Sequence, residues 1–366
     1  MKKLTAVILA VVMSVVCFAG CGNKTEPDNT VSSTPASSEP SETQPESKDF
    51  EQLNVACIVF SSGIPVLYAY DMGWFEEAGL DVNLEVFANG AAVNEAIAAK
   101  QIDIAVSGFA SVYALAASEC TWLADVNTTN SIAIYARPDS DIVTASGDAL
   151  LGSAETVKGK KIITNLGTSS QYNVDTYLSQ FGLTESDVEM IHMDYSTGYQ
   201  SFIAGEGDLI ATSNPYSADL DAAGYVNVGT LTATSGISLM DGCFARNAVV
   251  ENRPEEVTLF LEVLLKAMDA LQDEEVRFEY SLDKFAEIGN TYTEEGLRSE
   301  FTTTKYVGTE FISREDYVLG GAWVPIAEWL TTEGKISEEN LPNIAKSIDG
   351  SFLCEASGIN FKSYGE

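Results

Sequence analysis

The chain of 366 residues is poor in the side chains on which many enzymes depend. It has one histidine, His192, so a zinc or manganese site built on several imidazoles cannot be assembled, and a Ser-His-Asp triad has a single candidate base. His192 lies in the apolar run MIHM, which favours a core or strand-end position over a catalytic role. No serine stands in a G-x-S-x-G motif. These absences argue against a hydrolase and against a metal site.

Nucleotide-binding motifs are also missing. No G-x-x-x-x-G-K-[ST] loop occurs, and the stretch AGEGDLI offers Gly205 and Gly207 but has Ile210 where a third glycine would be needed. This stretch also connects a helix to a strand, whereas the dinucleotide fingerprint connects a strand to a helix. We therefore expect no cofactor.

Positive charge is scarce. The chain has 20 lysines and arginines against 54 aspartates and glutamates, and its formal net charge is −34. So acidic a surface repels phosphate backbones, which excludes nucleic acid as a partner, and it is not attracted to anionic lipid.

Cysteines are few and scattered. Beyond residue 21 there are four, Cys57, Cys120, Cys243 and Cys354, with no C-x-x-C spacing among them. We interpret them as buried small hydrophobic residues, and one or two disulfides are the alternative.

The N-terminal stretch MKKLTAVILAVVMSVVCFAG has the three-part order of a secretory signal: Lys2 and Lys3, an apolar run, and small residues. A retained membrane anchor is the alternative. The ending FAGC resembles the bacterial lipobox, with Phe18 where leucine is usual, so residues 1–20 are predicted to be a signal peptide and Cys21 a lipidated first mature residue. Removing the two lysines takes the formal charge from −34 to −36.

The segment that follows Cys21 contains mainly serine, threonine, proline and glutamate. With little apolar surface to bury, residues 21–50 are predicted to form a disordered tether. Together with Cys21, this tether places the protein on the extracytoplasmic face of the cell membrane, held there by lipid.

Strand-like and helix-like runs alternate from residue 51 onward, which predicts an α/β fold with largely parallel strands. The runs SIAIYARPD and GCFARNAVV flank a middle block that repeats the same alternation. If both runs are strands that cross between lobes, residues 51–137 and 240–366 form the first lobe and residues 138–239 form the second.

Five loops that follow predicted strands hold small hydroxyl, amide or glycine residues: SSGIP, ANGAA, SGFAS, GTSSQY and SNPYS. Each could be a plain helix cap, but aromatic residues accompany them, and open α/β sheets bind ligands at such loops. The candidate ligand-binding residues in and beside these loops are Ser61, Ser62, Asn89, Ser107, Phe109, Thr168, Ser169, Ser170, Tyr172, Asp194, Tyr195, Asn214 and Tyr216.

One stretch resembles a known family. GWFEEAGLDVNLEVFANGAAVNEAIAAKQIDIAVSG is similar to the solute-binding proteins of ABC importers for nitrate, sulfonates and taurine, which also include binders of thiamine-precursor pyrimidines. The family often has glycine where Lys100 or Gln101 stands here. VKGKKIITNLGTSSQYNVDTYLSQFGL and RNAVVENRPEEVTLFLEVLLKAMD are further matches.

The resemblance implies a type II periplasmic-binding-protein fold, with two lobes, a two-strand hinge and a ligand cleft that closes on a small solute. It also implies an ABC permease and its ATPase as partners, and we expect a monomer. The alternative function is an enzyme of the pyrimidine-synthesis type on the same fold.

No lysine or arginine occurs in the predicted loops, while Asp194 and Asp241 are acidic and several tyrosines lie nearby. These loops span residues 60–66, 87–92, 107–113, 126–131, 166–172, 193–200, 212–217 and 233–242. Bidentate recognition of a sulfonate or carboxylate by a guanidinium is therefore missing. Tyrosines can cover a planar or cationic group, and Asp194 could pair with an amine. We thus favour an amine-bearing or heteroaromatic solute over nitrate or a simple sulfonate.

Overall fold

A computed structural model of the protein describes residues 50–144 and 150–365. The predicted signal peptide, the lipidation residue Cys21 and the predicted tether up to residue 49 lie outside the described residues.

Apolar runs rich in β-branched residues form the strands, as their composition favours. In chain order these are β1 (Leu53–Ile58), β2 (Val82–Phe87), β3 (Ile104–Ser107), β4 (Cys120–Thr129), β5 (Ala133–Ala136), β6 (Lys161–Thr164), β7 (Glu189–His192), β8 (Leu209–Thr212), β9 (Val226–Thr230), β10 (Leu239–Arg246), β11 (Val318–Leu319) and β12 (Lys362–Ser363).

Helices connect most of the strands and dominate the chain after residue 246. They are α1 (Ile64–Asp71), α2 (Trp74–Glu77), α3 (Gly90–Ala98), α4 (Ser111–Ala116), α5 (Asp141–Thr144), α6 (Ala154–Val157), α7 (Ser169–Ser179), α8 (Tyr195–Ile203), α9 (Tyr216–Ala222), α10 (Leu231–Ser235), α11 (Asn247–Asn252), α12 (Pro254–Ala270), α13 (Glu274–Glu287), α14 (Glu294–Thr303), α15 (Thr309–Ile312), α16 (Trp323–Thr332), α17 (Leu341–Lys346) and α18 (Ser351–Ser357). Short 3₁₀ turns cover Ser61–Gly63 and Glu185–Asp187.

The first five-stranded sheet has the order β2-β1-β3-β10-β4. Strand β1 runs parallel to β2 and β3, while β10 runs antiparallel to β3 and β4. The aromatic core beside it includes Trp122, which stacks on Phe244 with ring centroids 6.0 Å apart and meets the edge of Trp323 at 4.8 Å.

The second five-stranded sheet has the order β7-β6-β8-β5-β9. Strand β6 runs parallel to β7 and β8, and β5 pairs antiparallel with β8 and β9. Its two faces are covered by separate apolar clusters, one around Val174 and Tyr177 of α7 and the other around Phe202 of α8. Strands β11 and β12 form a small parallel pair elsewhere.

The alternation of strands and helices confirms the predicted α/β class, with mixed sheets in place of largely parallel ones. The chain passes between the two large sheets after β4, which ends at Thr129, and again after β9, before β10 begins at Leu239. Strand β5 differs from the expected division: it precedes residue 138, within the expected first lobe, yet it pairs in the second sheet. The lobe boundaries themselves stay a prediction, because residues 50–144 and 150–365 all fall within one compact unit.

The four cysteines after residue 50 are free. Cys57, Cys120 and Cys243 are fully buried and Cys354 is partly exposed. Burial raises the pKa of the Cys57 and Cys120 thiols to about 12. The interpretation as small hydrophobic residues is therefore the one that the structure supports, and no disulfide joins any pair of them.

The turn before β3 explains a departure from the family pattern. Lys100 has φ of 60°, the left-handed region that favours glycine, and it occupies one of the two positions where the family often has that residue. The turn thus keeps its left-handed conformation with a lysine side chain. Asp103, which follows it, pairs with Arg246 and accepts the Asn54 backbone N–H at 3.0 Å, so it has a structural role.

Within residues 50–144 and 150–365, none of the helices combines the length and apolar character that a membrane crossing requires.

Candidate functional site

A cavity lies where loops from the two large sheets meet, beyond the carboxyl ends of their parallel strands. It holds about 610 Å³ of space, part of which is open to solvent. Loops after β1, β2 and β3 reach it from the first sheet, and loops after β6, β7 and β8 reach it from the second. Helices α3, α7 and α8 begin at these loops, so unpaired backbone N–H groups accumulate at the cavity.

Two of the loop residues are helix caps as well as cavity residues. The Asn89 side chain accepts the Ala92 N–H at 3.0 Å at the start of α3. The Thr168 hydroxyl accepts the Ser170 N–H at 3.3 Å at the start of α7. Capping therefore fixes where these side chains stand, and a polar surface toward the cavity is compatible with it.

Aromatic rings flank the cavity from both sheets. Phe60 meets the edge of Tyr195, with ring centroids 5.3 Å apart. The Tyr195 hydroxyl accepts a hydrogen bond from Ser170 Oγ at 3.0 Å, and burial raises the pKa of this phenol. Phe109 stacks on Tyr172 at 5.0 Å, so apolar surface from both sheets closes around the space.

The carboxylate of Asp241 forms one wall of the cavity. It is only 8% exposed, and its Oδ2 accepts hydrogen bonds from Thr129 Oγ1 at 2.8 Å and Asn127 Nδ2 at 3.2 Å. Burial raises the pKa of Asp241 to about 6. The hydrogen bonds from Thr129 and Asn127, and a smaller effect of the Ser62 hydroxyl, oppose the rise, while the charge of Glu300 adds to it. Gly108 lies against Oδ1, because a Cβ built there would come within 2.2 Å of that oxygen.

Glu300 of α14 links the two halves of the cavity. Its Oε1 accepts Ser61 Oγ at 2.7 Å, and its Oε2 accepts the Asn214 side-chain amide. Ser61 follows β1 of the first sheet and Asn214 follows β8 of the second, so one carboxylate holds loops from both sheets. Glu300 is 4% exposed, and Thr304 Oγ1 gives it a third neutral donor at 2.9 Å.

The residues that line the cavity include no lysine, arginine or histidine. Arg277, on α13, is a buried cation near this wall: it donates to the Thr304 carbonyl at 3.1 Å and lies over the rings of Phe301 and Tyr306. Two carboxylates thus face the space while the guanidinium stays behind it, and the cavity has an acidic character.

Seven of the thirteen candidate residues line the cavity, and whether they bind a ligand stays a prediction. These seven are Ser61, Asn89, Phe109, Thr168, Ser169, Tyr195 and Asn214.

The other six candidates lie elsewhere. Ser62 and Ser107 are fully buried, with Ser107 behind Gly90. Ser170 and Tyr172 are buried behind the lining and contact it through Tyr195 and Phe109. They follow strands as expected, but their positions after the first helical residue turn them into the core.

Asp194 and Tyr216 are outside the lining for different reasons. Asp194 is exposed and accepts hydrogen bonds from Asn89 Nδ2 at 3.3 Å and Asn165 Nδ2 at 3.4 Å, so it joins the two sides at the rim. Tyr216 packs on Tyr199 with ring centroids 5.3 Å apart. Asp194 was expected to pair with an amine of the solute, and Asp241, which lines the cavity, is better placed to do so.

Twelve of the nineteen lining residues were not among the thirteen candidates, and four of the twelve have aromatic, amide or acidic side chains: Phe60, Asn127, Asp241 and Glu300. Phe60 directly precedes the candidate loop SSGIP, so the pattern of loops after strands could have included it. Asp241 is one of the two acidic loop residues identified from the sequence, although it was not included among the candidates. Asn127 and Glu300 had no such signal, because Asn127 lies inside β4 and Glu300 lies in a helix 239 residues from its partner Ser61.

No group of three or more histidine, cysteine, aspartate or glutamate side chains suitable for a metal ion occurs in the part of the chain that the structure describes. His192 is at the end of β7, is exposed, and accepts the Leu166 N–H at 3.1 Å through Nδ1. This strand-end position is one of the two that its sequence context favoured.

A family model described as NMT1/THI5 like matches residues 61–275. A protein of Brachyspira hyodysenteriae, provisionally named an ABC transporter periplasmic binding protein, is 29% identical over 317 residues, which cover 85% of this chain and 91% of that protein. A protein of Brucella abortus, provisionally named a binding protein, is 29% identical over 55% of this chain and 60% of its own length.

Solved structures with the same fold include the alkanesulfonate-binding protein SsuA of Xanthomonas axonopodis bound to MOPS, with a TM-score of 0.63, 16% identity, and coverage of 83% of this chain and 100% of that one. The periplasmic nitrate-binding protein NrtA of Synechocystis has a TM-score of 0.62 at 14% identity, over 84% of this chain and 88% of that one. These likenesses confirm the periplasmic-binding-protein fold that the resemblance implied.

Proposed function

The chain belongs to the NMT1/THI5-like family, and from this premise we propose that it is the extracytoplasmic solute-binding protein of an ABC importer. The observation that carries the proposal is the cavity lined by loops from both sheets. A solute held there contacts both sides at once, so binding favours the closed arrangement over an open one. A permease that distinguishes the two arrangements then receives the loaded protein.

Contacts across the cavity support this mechanism. Asn89 of the first sheet's loops donates to Asp194 of the second, and Glu300 holds Ser61 and Asn214 together. Hydrogen bonds at the rim of a cleft are individually weak, about 0.5–1.5 kcal/mol each, so a bound solute can tip the balance between open and closed forms.

The solute that we propose is amine-bearing or heteroaromatic. The named neighbours bind an alkanesulfonate and nitrate, which are anions. In contrast, the lining of this cavity has Asp241 and Glu300 and no basic side chain, which disfavours an anion. Phe60, Phe109 and Tyr195 supply flat surfaces for a ring or a cation.

The second candidate function is an enzyme of the pyrimidine-synthesis type. A cavity without histidine or cysteine in its lining favours binding without chemistry. The two functions predict different products. Mass spectrometry of protein that has been loaded with its solute and then denatured should recover the solute unchanged if it is a binding protein, whereas an altered molecule would favour the enzyme.

We further propose that the protein is held at the cell membrane through lipid on Cys21, works as a monomer, and has an ABC permease and its ATPase as partners. The small-residue run into Cys21 and the polar segment that follows it support the anchor. Metabolic labelling with a fatty acid should mark the natural chain and not Cys21→Ser. Equal label in both chains would contradict the anchor and leave solute binding untouched.

A thermal-shift screen tests the solute proposal most directly. Sulfonates, nitrate, pyrimidines, amino acids and amines are each added to protein stripped of bound molecules. A compound that binds the folded form raises the unfolding temperature with concentration. A rise with amines or heteroaromatic compounds is expected, and a rise with simple sulfonates alone would contradict the proposed class.

A further inference from the structure

We propose that Asn127, Asp241 and Glu300 form a receptor for the cationic head of a small organic solute, such as an ammonium, amidinium or guanidinium group. This inference rests on the proposed solute-binding function and assigns the part of the cavity that recognises the solute. The three side chains lie on β4, at the start of β10 and on α14, and all three line the cavity.

Asn127 offers a hydrogen-bond acceptor that the protein itself does not use. The residue is 1% exposed, and its Nδ2 donates to Thr129 Oγ1 at 3.1 Å and Asp241 Oδ2 at 3.2 Å. These bonds fix the orientation of the carboxamide. Its Oδ1 is buried and has no hydrogen-bond partner among the described residues. Buried polar atoms of native proteins are rarely left unpaired. A donor from a solute would satisfy it.

Asp241 offers a carboxylate beside this oxygen. The hydrogen bonds from Thr129 and Asn127 both go to Oδ2, so they organise one edge of the group, and the buried hydroxyl of Ser62 is a third neutral donor to this carboxylate. The other oxygen, Oδ1, lies against Gly108, where a side chain would collide with it. Neutral donors stabilise a buried carboxylate less well than a cation does, so the charge of Asp241 lacks its best partner.

Glu300 adds a second carboxylate to the lining of the cavity. Ser61, Asn214 and Thr304 supply its hydrogen bonds, and all three are neutral. Both acids line the same cavity, and the charge of Glu300 contributes to the raised pKa of Asp241. A cation between them removes that repulsion, whereas an anion adds to it.

Arg277 does not fill this role. Its guanidinium donates to the Thr304 carbonyl and lies 3.8 Å from the centroid of the Phe301 ring, and it does not line the cavity. The two acids therefore face an apolar and hydroxyl-lined space without a basic side chain. Phe60 and Tyr195, which flank the same space, can cover the hydrocarbon part of the solute.

A cation supplies the hydrogen-bond donors that these acceptors can use. An amidinium or guanidinium carries at least four N–H donors in one plane and cannot accept, which suits a site of carboxylate and amide oxygens. A sulfonate has acceptors only, so it would face Asn127 Oδ1 and both carboxylates without a donor from them. A site made of hydrogen-bond acceptors should therefore bind cationic solutes and disfavour sulfonates.

Affinity for a cation should also depend on pH. The titratable groups that face Asp241 are Glu300 and the phenol of Tyr195. Because the pKa of Asp241 is raised to about 6, this group gains a proton as the pH falls through that value and then no longer attracts a cation. Affinity should fall by up to about tenfold per pH unit below 6.

The test uses matched compounds of different charge. Protein stripped of bound molecules is titrated calorimetrically at pH 7.5 with benzamidine, benzamide and benzenesulfonate, and then with butylammonium, butanol and butanesulfonate. In at least one set the cation should bind tenfold more tightly than its neutral counterpart, and the sulfonate should bind most weakly. Equal binding of cation and neutral compound in both sets, or a preference for sulfonate, would overturn the receptor and leave solute binding intact.

Substitutions of single residues test which side chains produce the preference for a cation. Asp241→Asn and Glu300→Gln should each lower cation affinity at least tenfold while changing neutral-compound affinity less than twofold. Asp125→Asn is the matched control, because Asp125 is equally buried and its pKa is also raised to about 6, yet it lies outside the lining. Circular dichroism checks that each variant folds. If a variant does not fold, the pH dependence of cation affinity in the unaltered protein still tests the contribution of the Asp241 charge.

Native mass spectrometry distinguishes failure of this inference from failure of the proposed function. If no compound of the panel binds, the protein as purified from cells is examined for a retained small molecule. A retained cation supports the receptor, and a retained anion or neutral molecule overturns it. No retained molecule in any preparation would count against the receptor and the solute-binding function together.

Discussion

Asp241 should reduce the stability of the ligand-free protein at neutral pH, and replacing it with asparagine should reveal by how much. The pKa of the carboxyl is raised from 3.8 to about 6, chiefly by burial. A rise of about 2 pKa units corresponds to about 3 kcal/mol of folding free energy, at about 1.4 kcal/mol per unit.

The direction follows from proton binding. Between pH 3.8 and about 6 the folded protein binds a proton at Asp241 that the unfolded chain does not bind. The contribution of this group to stability therefore falls as the pH rises through that window, and it reaches its full cost of about 3 kcal/mol above pH 6. Asparagine has the same shape and no charge, so Asp241→Asn removes this dependence.

Urea unfolding of both proteins at a series of pH values from 4 to 8 measures the effect. An asparagine oxygen still accepts from Thr129 and Asn127, at a cost of about 1 kcal/mol for the weaker hydrogen bonds. We expect the variant to be about 2 kcal/mol more stable than the unaltered protein at pH 8 and about 1 kcal/mol less stable at pH 4. The difference between the two curves isolates Asp241 from the other acids, because those titrate in both proteins.

Two parallel curves would refute the reasoning, since they would mean that Asp241 titrates alike in the folded and unfolded protein. Asp125→Asn serves as a second case. Asp125 is fully buried within the first sheet, and burial raises its pKa to about 6 against hydrogen bonds from Trp122, Gly320 and Tyr317. In Asp125→Asn the free energy of unfolding should likewise fall less as the pH rises, and solute affinity should not change.

Three further substitutions test the cavity, an ion pair of Lys335 and the turn before β3. Gly108→Ala places a Cβ within 2.2 Å of Asp241 Oδ1 and should displace that carboxylate, so calorimetry should show cation affinity reduced at least tenfold. Lys335→Met removes ion pairs that join the turn after α16 to Glu185 at 2.7 Å and to Asp175 of α7 at 3.3 Å. It should lower solute affinity about threefold, with small-angle X-ray scattering showing a more open average shape. Lys100→Gly relieves φ of 60° in the turn before β3 and should raise the free energy of unfolding by up to about 1 kcal/mol in urea unfolding.

Each of these has an outcome that would contradict it. Unchanged cation affinity in Gly108→Ala would show that Asp241 is not held by that glycine. Lys158→Met is the matched control for Lys335→Met, because Lys158 is exposed and its ion pair with Asp187 joins the segments that precede β6 and β7 of one sheet. Equal effects of the two substitutions would dismiss a role for the Lys335 ion pairs. A less stable Lys100→Gly would mean that the lysine side chain stabilises the turn more than its backbone strains it.

Much of the fold could be predicted from the residues in order. LNVACIVF, LDVNLEVF and IDIAVS are apolar or alternating runs, and each became a strand of the first sheet because burial of such runs is a local property of the sequence. The run SIAIYARPD also became a strand, β5, and it pairs with β8 and β9 of the second sheet. An apolar run indicates that a strand is buried, and it does not indicate which neighbours the strand will pair with.

Local sequence was enough to predict which loops line the cavity. Asn89, Thr168 and Tyr195 stand where strands end and helices begin, and the rule that such loops surround ligands placed them correctly beside one space. The same rule misplaced Ser170 and Tyr172. Residues one or two positions into a helix rotate by about 100° each, so a side chain near a loop can point into the core.

The sequence by itself determined the α/β class, the candidate loops and the acidic balance of the chain, because these depend on composition and short-range order. Only the tertiary structure decided the chemistry of the cavity. Glu300 comes from a helix 239 residues after Ser61, and Asp241 meets Asn127 through the pairing of β10 with β4. Residues so far apart come together through packing of whole elements, and no local pattern records which side chains that packing will bring into one space.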